Sequence, residues 1–300
     1  MIRALRITAQ VARILLGVIF VAAGVLKSLD VAEFARQTAE YHLVGPGAAA
    51  LLAPLLIAFE TTLGIALLLG WRPRLAAALT GGLLVFFISL EAWGLSHGRT
   101  EACGCFGAYV KRTPQQVILE DLGFLALAIL VVFGIGTWQA GRRRLTAVLT
   151  AATAVVMLGF AIASPRLPLD PLVTSLKTGK TATDLGIASR LPEEGPEGTL
   201  VAILDVTDPV SKVAAASLNA LKEQPVPVSV IALTPSTEQE QAAFLWEAYP
   251  AFDVIPMDRG LLKPLYRRLP IYFLVREGRV ERIFPGPRPP EADLLSSKAS

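Results

Sequence analysis

The chain has few charged side chains for its length. Of its 300 residues, 18% are Asp, Glu, Lys or Arg, whereas a soluble protein typically holds about 25%. Hydrophobic residues make up 53%, which excludes a wholly soluble protein and an intrinsically disordered one. The net charge is only +3, and the basic residues are spread along the chain. Such a distribution lacks the concentrated positive charge of a nucleic-acid-binding surface, so we expect no nucleic-acid partner.

The shortage of charge is concentrated in the first half of the chain. Residues 1–165 contain 21 charged side chains and residues 166–300 contain 32. Five apolar runs of about the length that spans a bilayer lie in the first half. They cover residues 11–26, 48–70, 75–95, 117–138 and 145–163. A soluble helical bundle would need a very large core to cover so many apolar runs. We therefore predict an α-helical membrane bundle over residues 1–165.

The arginines predict how this bundle is oriented. Short cytoplasmic loops carry an excess of Lys and Arg. Eight arginines fall on one side of the predicted helices, at positions 3, 6, 13, 72, 74, 142, 143 and 144. We therefore expect the N-terminus inside, an uncleaved first helix, and everything after the fifth helix outside. This predicts a multi-pass protein of the bacterial inner (cytoplasmic) membrane with an extracytoplasmic C-terminal domain.

The second half reads as a linker followed by an α/β domain. Residues 166–198 are rich in Pro, Gly and polar side chains and predict a linker. Strands are then predicted over 199–206, 227–233, 252–257, 271–276 and 279–284, with helices over 211–223, 236–249 and 259–268. Ser236 with Gln239 has the spacing of a capping box and predicts the start of the second of these helices. The order predicts a mixed sheet with helices on both faces.

This domain resembles the thioredoxin-like fold over residues 199–300. The resemblance rests on TLVAILDV with its following helix and on RRLPIYFLVREGRV. It implies that Pro270 is a cis-proline facing the site. Where the family carries Cys-x-x-Cys, this chain has Asp208-Pro209-Val210-Ser211, so the domain cannot exchange disulfides by itself. Asp208 is read as a helix N-cap. We expect Asp208, Ser211 and Pro270 to bind an extended client segment without chemistry.

The two cysteines of the chain are close neighbours. Cys103 and Cys105 lie in EACGCFG, between the third and fourth predicted helices and on the outer side. Two links of extended chain reach about 7 Å, and bridged Cα atoms lie roughly 4.4–6.8 Å apart, so a bond between the two is feasible. So small a ring would stabilise the fold little, which favours a redox-active pair. A structural disulfide and a Cu(I) site completed by His97 are the alternatives.

Four ionisable residues lie within or beside the predicted membrane helices. They are Lys27, Glu60, Glu91 and Asp121. Such residues are candidates for function because charge is costly in hydrocarbon. Glu60 should face the bundle interior, with Lys27 as its partner. The alternative for Lys27 is that it extends to the membrane surface. The alternative for Asp121, with Glu120, is favourable charge at a helix N-terminus.

Residues 10–138 resemble the DoxX-like superfamily and, within it, the MauE family of methylamine utilisation. The resemblance rests on GVIFVAAGVLKSLDVAEFARQTAEYHLV, on FETTLGIALLLGWRPR and on CGCFG followed by LEDLGFLALAIL. It implies a four-helix bundle associated with redox maturation of extracytoplasmic proteins, including disulfide formation in methylamine dehydrogenase. By analogy with the vitamin K epoxide reductase bundle, it also implies a quinone cofactor.

Two hypotheses for function follow. In the first, the protein is a membrane thiol–disulfide oxidoreductase that exchanges disulfides with an external protein through Cys103 and Cys105. In the second, it is a non-enzymatic assembly factor whose thioredoxin-like domain docks clients while the bundle anchors it in the lipid bilayer. A catalytic pair must cycle between its oxidised and reduced forms, whereas a scaffold survives the loss of both thiols.

Overall fold

The computed structural model of the chain describes residues 2–98, 112–135, 143–192, 198–223 and 228–290. The chain divides into two compact units, Met1–Leu167 and Pro168–Ser300. The first unit is helical. The second contains a five-stranded sheet with helices. This is the fold class that the composition and periodicity predict.

Five long helices make up most of the first unit, and each is long and apolar enough to cross a membrane. They are α1 (Ile2–Leu29), α3 (Pro46–Leu69), α4 (Pro73–Ser96), α5 (Pro114–Gly134) and α6 (Arg143–Ala163), while α2 (Val31–Ala39) is short. Large apolar side chains such as Leu51 and Phe133 are 72% and 81% exposed on the bundle surface, as lipid contact requires. The protein is therefore a multi-pass membrane protein, and the number of predicted spans is confirmed.

The helix bounds differ from the prediction in two places. Helix α1 begins nine residues before the predicted position 11, because Arg3 and Arg6 are good helix formers although they are not apolar. Helix α5 ends at Gly134 rather than at 138. The short helix α2 was not predicted at all. Asp30 caps it by accepting a hydrogen bond from the backbone N–H of Glu33. Phe34 is a buried residue of this helix.

Glycines allow α1 and α3 to pack with their backbones close together. A Cβ atom added at Gly64 would lie 2.7 Å from the backbone nitrogen of Val21 and 2.9 Å from the carbonyl oxygen of Gly17. A Cβ atom at Gly17 would lie 3.0 Å from the carbonyl oxygen of Gly64. Small residues at a helix contact permit this approach in a membrane, where lipid supplies no hydrophobic drive between helices.

Two arginines bind the C-terminal ends of two membrane helices. The guanidinium of Arg13 donates to the carbonyl oxygens of Leu67 and Leu68 in the last turn of α3. Arg74 donates twice to the carbonyl oxygen of Ile135, which follows α5, at 2.9 and 2.7 Å. Terminal carbonyls have no partner within their own helix, so these bonds satisfy groups that hydrocarbon would leave unsatisfied.

The second unit has the predicted order of elements. Its strands are β1 (Thr199–Ile203), β2 (Ser229–Thr234), β3 (Asp253–Pro256), β4 (Ile271–Arg276) and β5 (Arg279–Pro285). Its helices are α7 (Asp170–Val173), α8 (Pro209–Glu223), α9 (Glu238–Ala248) and α10 (Arg259–Leu262). The strand order is β3-β2-β1-β4-β5, with β1, β2 and β3 parallel and β4 antiparallel to both β1 and β5. This mixed sheet is the thioredoxin-like arrangement.

Buried apolar side chains cover both faces of the sheet. Two features of the second unit differ from the prediction made from the sequence. Leu176 and Ile187, from the segment predicted as a linker, are buried in the core on one face. Part of that segment therefore belongs to this unit. Helix α9 is capped one residue later than predicted, because Thr237 rather than Ser236 forms the capping box, with Glu240 as its partner. The Ser236 hydroxyl instead accepts from the backbone N–H of Val206.

Candidate functional site

An ion pair joins α1 to α3 inside the membrane unit. The Nζ atom of Lys27 is 2.9 and 2.7 Å from the two carboxylate oxygens of Glu60. Lys27 is 3% exposed and Glu60 is 1% exposed. The ring centroids of Phe34 and Phe87 lie 5.2 and 5.1 Å from the same nitrogen, so aromatic faces also stabilise the ammonium. The pairing expected for Glu60 is present, and the alternative in which Lys27 extends to the membrane surface is wrong.

A second buried contact joins α4 to the chain that follows α2. The Tyr41 hydroxyl donates to Oε1 of Glu91 over 2.6 Å, and both residues are buried. The two residues are 50 positions apart in the sequence. This hydrogen bond holds the Glu91 side chain in the bundle interior.

Asp121 is buried in α5, with 1% of its surface exposed. Helix α5 begins at Pro114, behind a capping box formed by Thr113 and Gln116. Asp121 and Glu120 therefore lie beyond the first turn, where the attraction of a helix N-terminus for negative charge has largely fallen away. The reading of these residues as charges at a helix start is wrong for this reason, and Asp121 faces the interior instead.

These polar groups meet around one cavity. Lys27, Tyr41, Glu91 and Asp121 line its polar end, and Glu60 is joined to it through Lys27. The cavity has a volume of about 100 Å³. The rest of its wall is aromatic and aliphatic except for Thr38, and consists of Phe34, Thr38, Leu43, Val44, Leu52, Leu56, Phe86, Phe87 and Leu90. The four ionisable residues singled out from the sequence are therefore brought together, each from a different helix.

The cluster combines groups of complementary chemistry. An ammonium donates hydrogen bonds, carboxyl oxygens accept them, and a carboxyl or phenol can also take up and release a proton. An apolar wall beside such groups keeps out bulk water, which strengthens their electrostatic interactions. The site can therefore bind a small polar group in an otherwise apolar pocket and can exchange protons with it.

Cys103 and Cys105 lie outside the described residues. The chain connectivity nevertheless relates them to the cluster. They belong to the connection between α4 and α5, which joins the end of α4 near Glu91 to the start of α5 near Asp121. His97, the proposed third ligand of the Cu(I) alternative, is exposed beyond the end of α4, and its Nδ1 atom lies 2.9 Å from the carbonyl oxygen of Trp93.

The second unit presents the site residues that the thioredoxin-like resemblance suggested. The Leu269–Pro270 peptide bond is cis, as predicted. Ile203 at the end of β1 pairs with Ile271 at the start of β4, so Pro270 and the loop that leads to α8 lie at the same end of the sheet. Asp208 accepts a hydrogen bond from the backbone N–H of Val210 over 2.9 Å, which is the capping role expected of it.

Ser211 does not lie on the surface of this unit. Its side chain is fully buried, and its hydroxyl has no hydrogen-bond partner within the described part of the chain. Direct contact of Ser211 with a client is therefore excluded in this conformation. A cleft of about 270 Å³ lies beside Pro270 and is lined also by Asp170, Arg268 and Leu269. Asp208 and Ser211 are not part of its lining.

Three contributors to the membrane cluster were not found from the sequence. Tyr41, Phe34 and Phe87 are not ionisable groups of the kind that the membrane argument singles out, although Phe34 and Tyr41 lie in one of the segments that carry the family resemblance. A usable signal existed for the first two, because the amphipathic stretch 31–39 indicates a helix that turns Phe34 inward and positions the chain up to Tyr41.

The fold and the cluster define a multi-pass membrane protein with an ionisable cluster inside its bundle and a thioredoxin-like domain after it. Residues 5–134, which include α2–α5 and most of α1, match the family model of the methylamine utilisation protein MauE. The membrane unit is thus MauE-like up to Gly134. Protein TlpB of Flavobacterium psychrophilum is 31% identical over 129 residues, which are 40% of this chain and 35% of TlpB. The matched region therefore spans about a third of that relative.

Proposed function

We propose that the protein is a membrane-bound thiol–disulfide redox protein that supports disulfide formation or maturation of extracytoplasmic proteins. Cys103 and Cys105 form its exchanging pair. The proposal rests mainly on one observation. The connection that holds both cysteines joins the two helices, α4 and α5, whose Glu91 and Asp121 side chains line the buried polar cavity. The helices on either side of the cysteines in the sequence therefore carry buried groups that can exchange protons.

The proposed exchange conserves atoms and electrons. A client thiolate attacks one sulfur of the Cys103–Cys105 disulfide and breaks it, and a mixed disulfide forms. The second client thiolate then attacks the mixed disulfide, so that the client is oxidised and both protein thiols are reduced. Two electrons and two protons must leave for the pair to be oxidised again, and a quinone, if bound, would supply an acceptor for them.

The residues of the chain have defined tasks in this scheme. Glu91 and Asp121 receive the two protons that the thiols release, because their side chains line the buried cavity on the two helices joined by the connection that holds the cysteines. Tyr41 holds Glu91 in place. The ion pair of Lys27 with Glu60 positions the ammonium at the cavity while its charge stays compensated.

The proposed orientation places the cysteines and the second unit outside the cytoplasm, in a bacterial inner membrane. The arginines that bind the ends of α3 and α5 support it. Arg13 and Arg74 lie at the bundle end to which the arginine-rich segments also belong, and that end is cytoplasmic by the Lys and Arg rule. The compartment of the cysteines would then permit disulfides.

The deciding experiment measures the redox state of the pair. Membranes containing the full-length protein are treated with a short-chain benzoquinone that is substituted at every ring position, so that thiols cannot add to its ring, or with buffer. Remaining thiols are then trapped with a maleimide of known mass. We expect quinone to convert the pair from two labelled thiols to none. A labelling pattern that quinone leaves unchanged, in membranes first treated with a reductant, contradicts the proposal. A variant with both cysteines replaced by serine provides the background.

The second candidate function is a non-enzymatic assembly factor. The observation that favours it is the cleft beside Pro270, in a domain whose Cys-x-x-Cys position holds Asp208-Pro209-Val210-Ser211 instead. That domain can offer a peptide-binding surface but no disulfide exchange. If the double serine variant still supports client maturation, this second function is the better description.

A further inference from the structure

We infer that the cavity lined by Lys27, Tyr41, Glu91 and Asp121 is the binding site for the ring of an isoprenoid quinone that enters from the bilayer. The cavity has a polar inner end and an apolar mouth. Lys27, Glu91 and Asp121 are nearly fully buried at the inner end, whereas Leu43 and Phe86 at the mouth are about half exposed. A site with this polarity fits an amphiphile whose polar head lies inside and whose apolar tail remains in lipid.

The walls of the cavity suit a flat ring that lies partly in the open mouth. The enclosed volume is about 100 Å³. This is less than the volume on the order of 150 Å³ of an apolar cavity that admits benzene, so a bound ring would extend into the mouth. Phe34, Phe86 and Phe87 supply aromatic surface, against which a flat ring can stack.

The polar end can bind both redox forms of such a ring. A quinone oxygen is a carbonyl and needs a donor, which the ammonium of Lys27 is. A quinol oxygen is a hydroxyl and needs an acceptor, which the carboxyl oxygens of Glu91 and Asp121 are. A site for a wholly apolar ligand would need neither a hydrogen-bond donor nor an acceptor. Burial of Lys27, Glu91 and Asp121 in hydrocarbon would then cost free energy with no interaction to offset it.

The same groups disfavour an anionic lipid. Among the residues described at this end of the cavity, three are carboxyl side chains, Glu60, Glu91 and Asp121, and only Lys27 is a cation that pairs with one of them. A fatty acid or phospholipid head would add negative charge to this cluster. A neutral head group meets no such repulsion, and a quinone is a neutral head group that also matches the donors and acceptors of this cluster.

Binding can be tested separately from catalysis. The full-length protein in lipid nanodiscs is photolabelled with an azido-benzoquinone that carries a decyl chain, and labelled peptides are identified by mass spectrometry. We expect labelling of peptides from α2 and α4, competition by unlabelled decyl-benzoquinone, and no competition by oleate at the same concentration. Competition by oleate as strong as that by the quinone overturns the inference.

Two variants on one helix provide a matched comparison. Leu90→Trp fills the cavity from α4, whereas Leu79→Trp adds the same bulk to α4 on the exposed face of the bundle. Leu90→Trp should weaken quinone binding at least tenfold, and Leu79→Trp should leave binding unchanged. Equal binding by wild type and Leu90→Trp, with both proteins folded, would overturn the assignment of the cavity.

The inference that the cavity binds a quinone rests on the proposed function only where it gives the quinone a redox role. Different experimental outcomes would contradict the quinone site and the proposed function. Replacing Cys103 and Cys105 by serine should abolish disulfide exchange but leave photolabelling intact. If the quinone labels the cavity but never oxidises the thiols, the inference stands and the proposed function fails. If the thiols are oxidised while the cavity is never labelled, the proposed function stands and the assignment of the cavity fails.

Discussion

Lys27 on α1 contacts both carboxylate oxygens of Glu60 on α3, at 2.9 and 2.7 Å, and neither residue is accessible from outside the bundle. Two charges so deeply buried depend on each other. Removing one leaves the other uncompensated in a medium of low polarity, whereas removing both eliminates the problem. The ion pair therefore contributes to the stability of the bundle only while both charges are present. The free energy of unfolding of single and double variants measures this dependence.

Lys27→Met should lower the free energy of unfolding by about 3–5 kcal/mol, the range for breaking a buried ion pair. The double variant Lys27→Met with Glu60→Met should recover most of that loss. Thermal unfolding in detergent measures both. Lys212→Met is the control, because Lys212 and its partner Glu247 are both exposed, and an exposed pair contributes at most about 1 kcal/mol. Equal destabilisation by the single and double variants would show that the contribution of Lys27 to stability does not depend on Glu60.

The packing that brings this pair together gives a second prediction. Gly64→Leu places a side chain where even a Cβ atom would lie 2.7 Å from the backbone of Val21. Because backbone cannot move aside, α1 and α3 must separate, and we expect a loss of at least about 1–3 kcal/mol in stability. Gly82→Leu on α4 is the control, since a Cβ atom there has no neighbour within 4 Å. Similar melting temperatures for the two variants would contradict the close packing.

The membrane bundle could be predicted because long apolar runs leave few alternatives. Glu60 and Lys27 could be paired for a related reason, since a buried carboxylate needs a cation and few are available inside the bundle. The hydrogen bond of Tyr41 with Glu91 could not be predicted. Its partners lie 50 residues apart, and a tyrosine after a short helix has no distinctive pattern.

The capping boxes show where a sequence pattern is ambiguous. Ser236 with Gln239 and Thr237 with Glu240 have the same spacing and equivalent side-chain chemistry. The structure uses the second, because the Ser236 hydroxyl is engaged by the backbone N–H of Val206 from another part of the chain. Tertiary contacts of this kind decide between local alternatives that the sequence leaves equal.

The orientation in the membrane is open to a direct test. The arginine distribution predicts an N-terminus inside and a C-terminal unit outside, since five crossings separate them. Alkaline phosphatase, which needs disulfides, should be active when fused after Ser300, and a fluorescent protein that folds only in the cytoplasm should be dark there. The reverse pattern of activity would invert the orientation and remove the cysteines from a compartment that permits disulfides.

The cysteine pair should be required as a pair. Cys103→Ser and Cys105→Ser should each reduce client maturation to background while the protein remains folded, because exchange needs an attacking and a resolving thiol. Each single variant should also form a stable mixed disulfide with a client whose thiol carries a small disulfide-linked leaving group, because the remaining thiolate displaces that group and no resolving thiol follows. The adduct should be removed by a reductant. Cys105→Ser with full client maturation would exclude the exchange cycle. Ala108→Ser, in the same connection, controls for substitution there.

The surface of the second unit beside Pro270 gives the last prediction. Val210 is exposed at the start of α8, next to the capping residue Asp208 and at the sheet end that holds Pro270. An extended client segment that docks there would contact Val210. Val210→Glu should therefore weaken docking about tenfold, which corresponds to about 1.4 kcal/mol.

Ala220→Glu provides the matched control, because Ala220 is exposed on the same helix, ten residues and about 15 Å further along its axis. Crosslinking of a client peptide to the full-length protein measures the difference. A complementary variant removes residues 168–300 as a whole, since Leu176 and Ile187 belong to the core of this unit and a cut at 199 would leave them exposed. Normal client maturation by that truncated protein, or equal crosslinking by both glutamate variants, would show that clients do not dock at this surface.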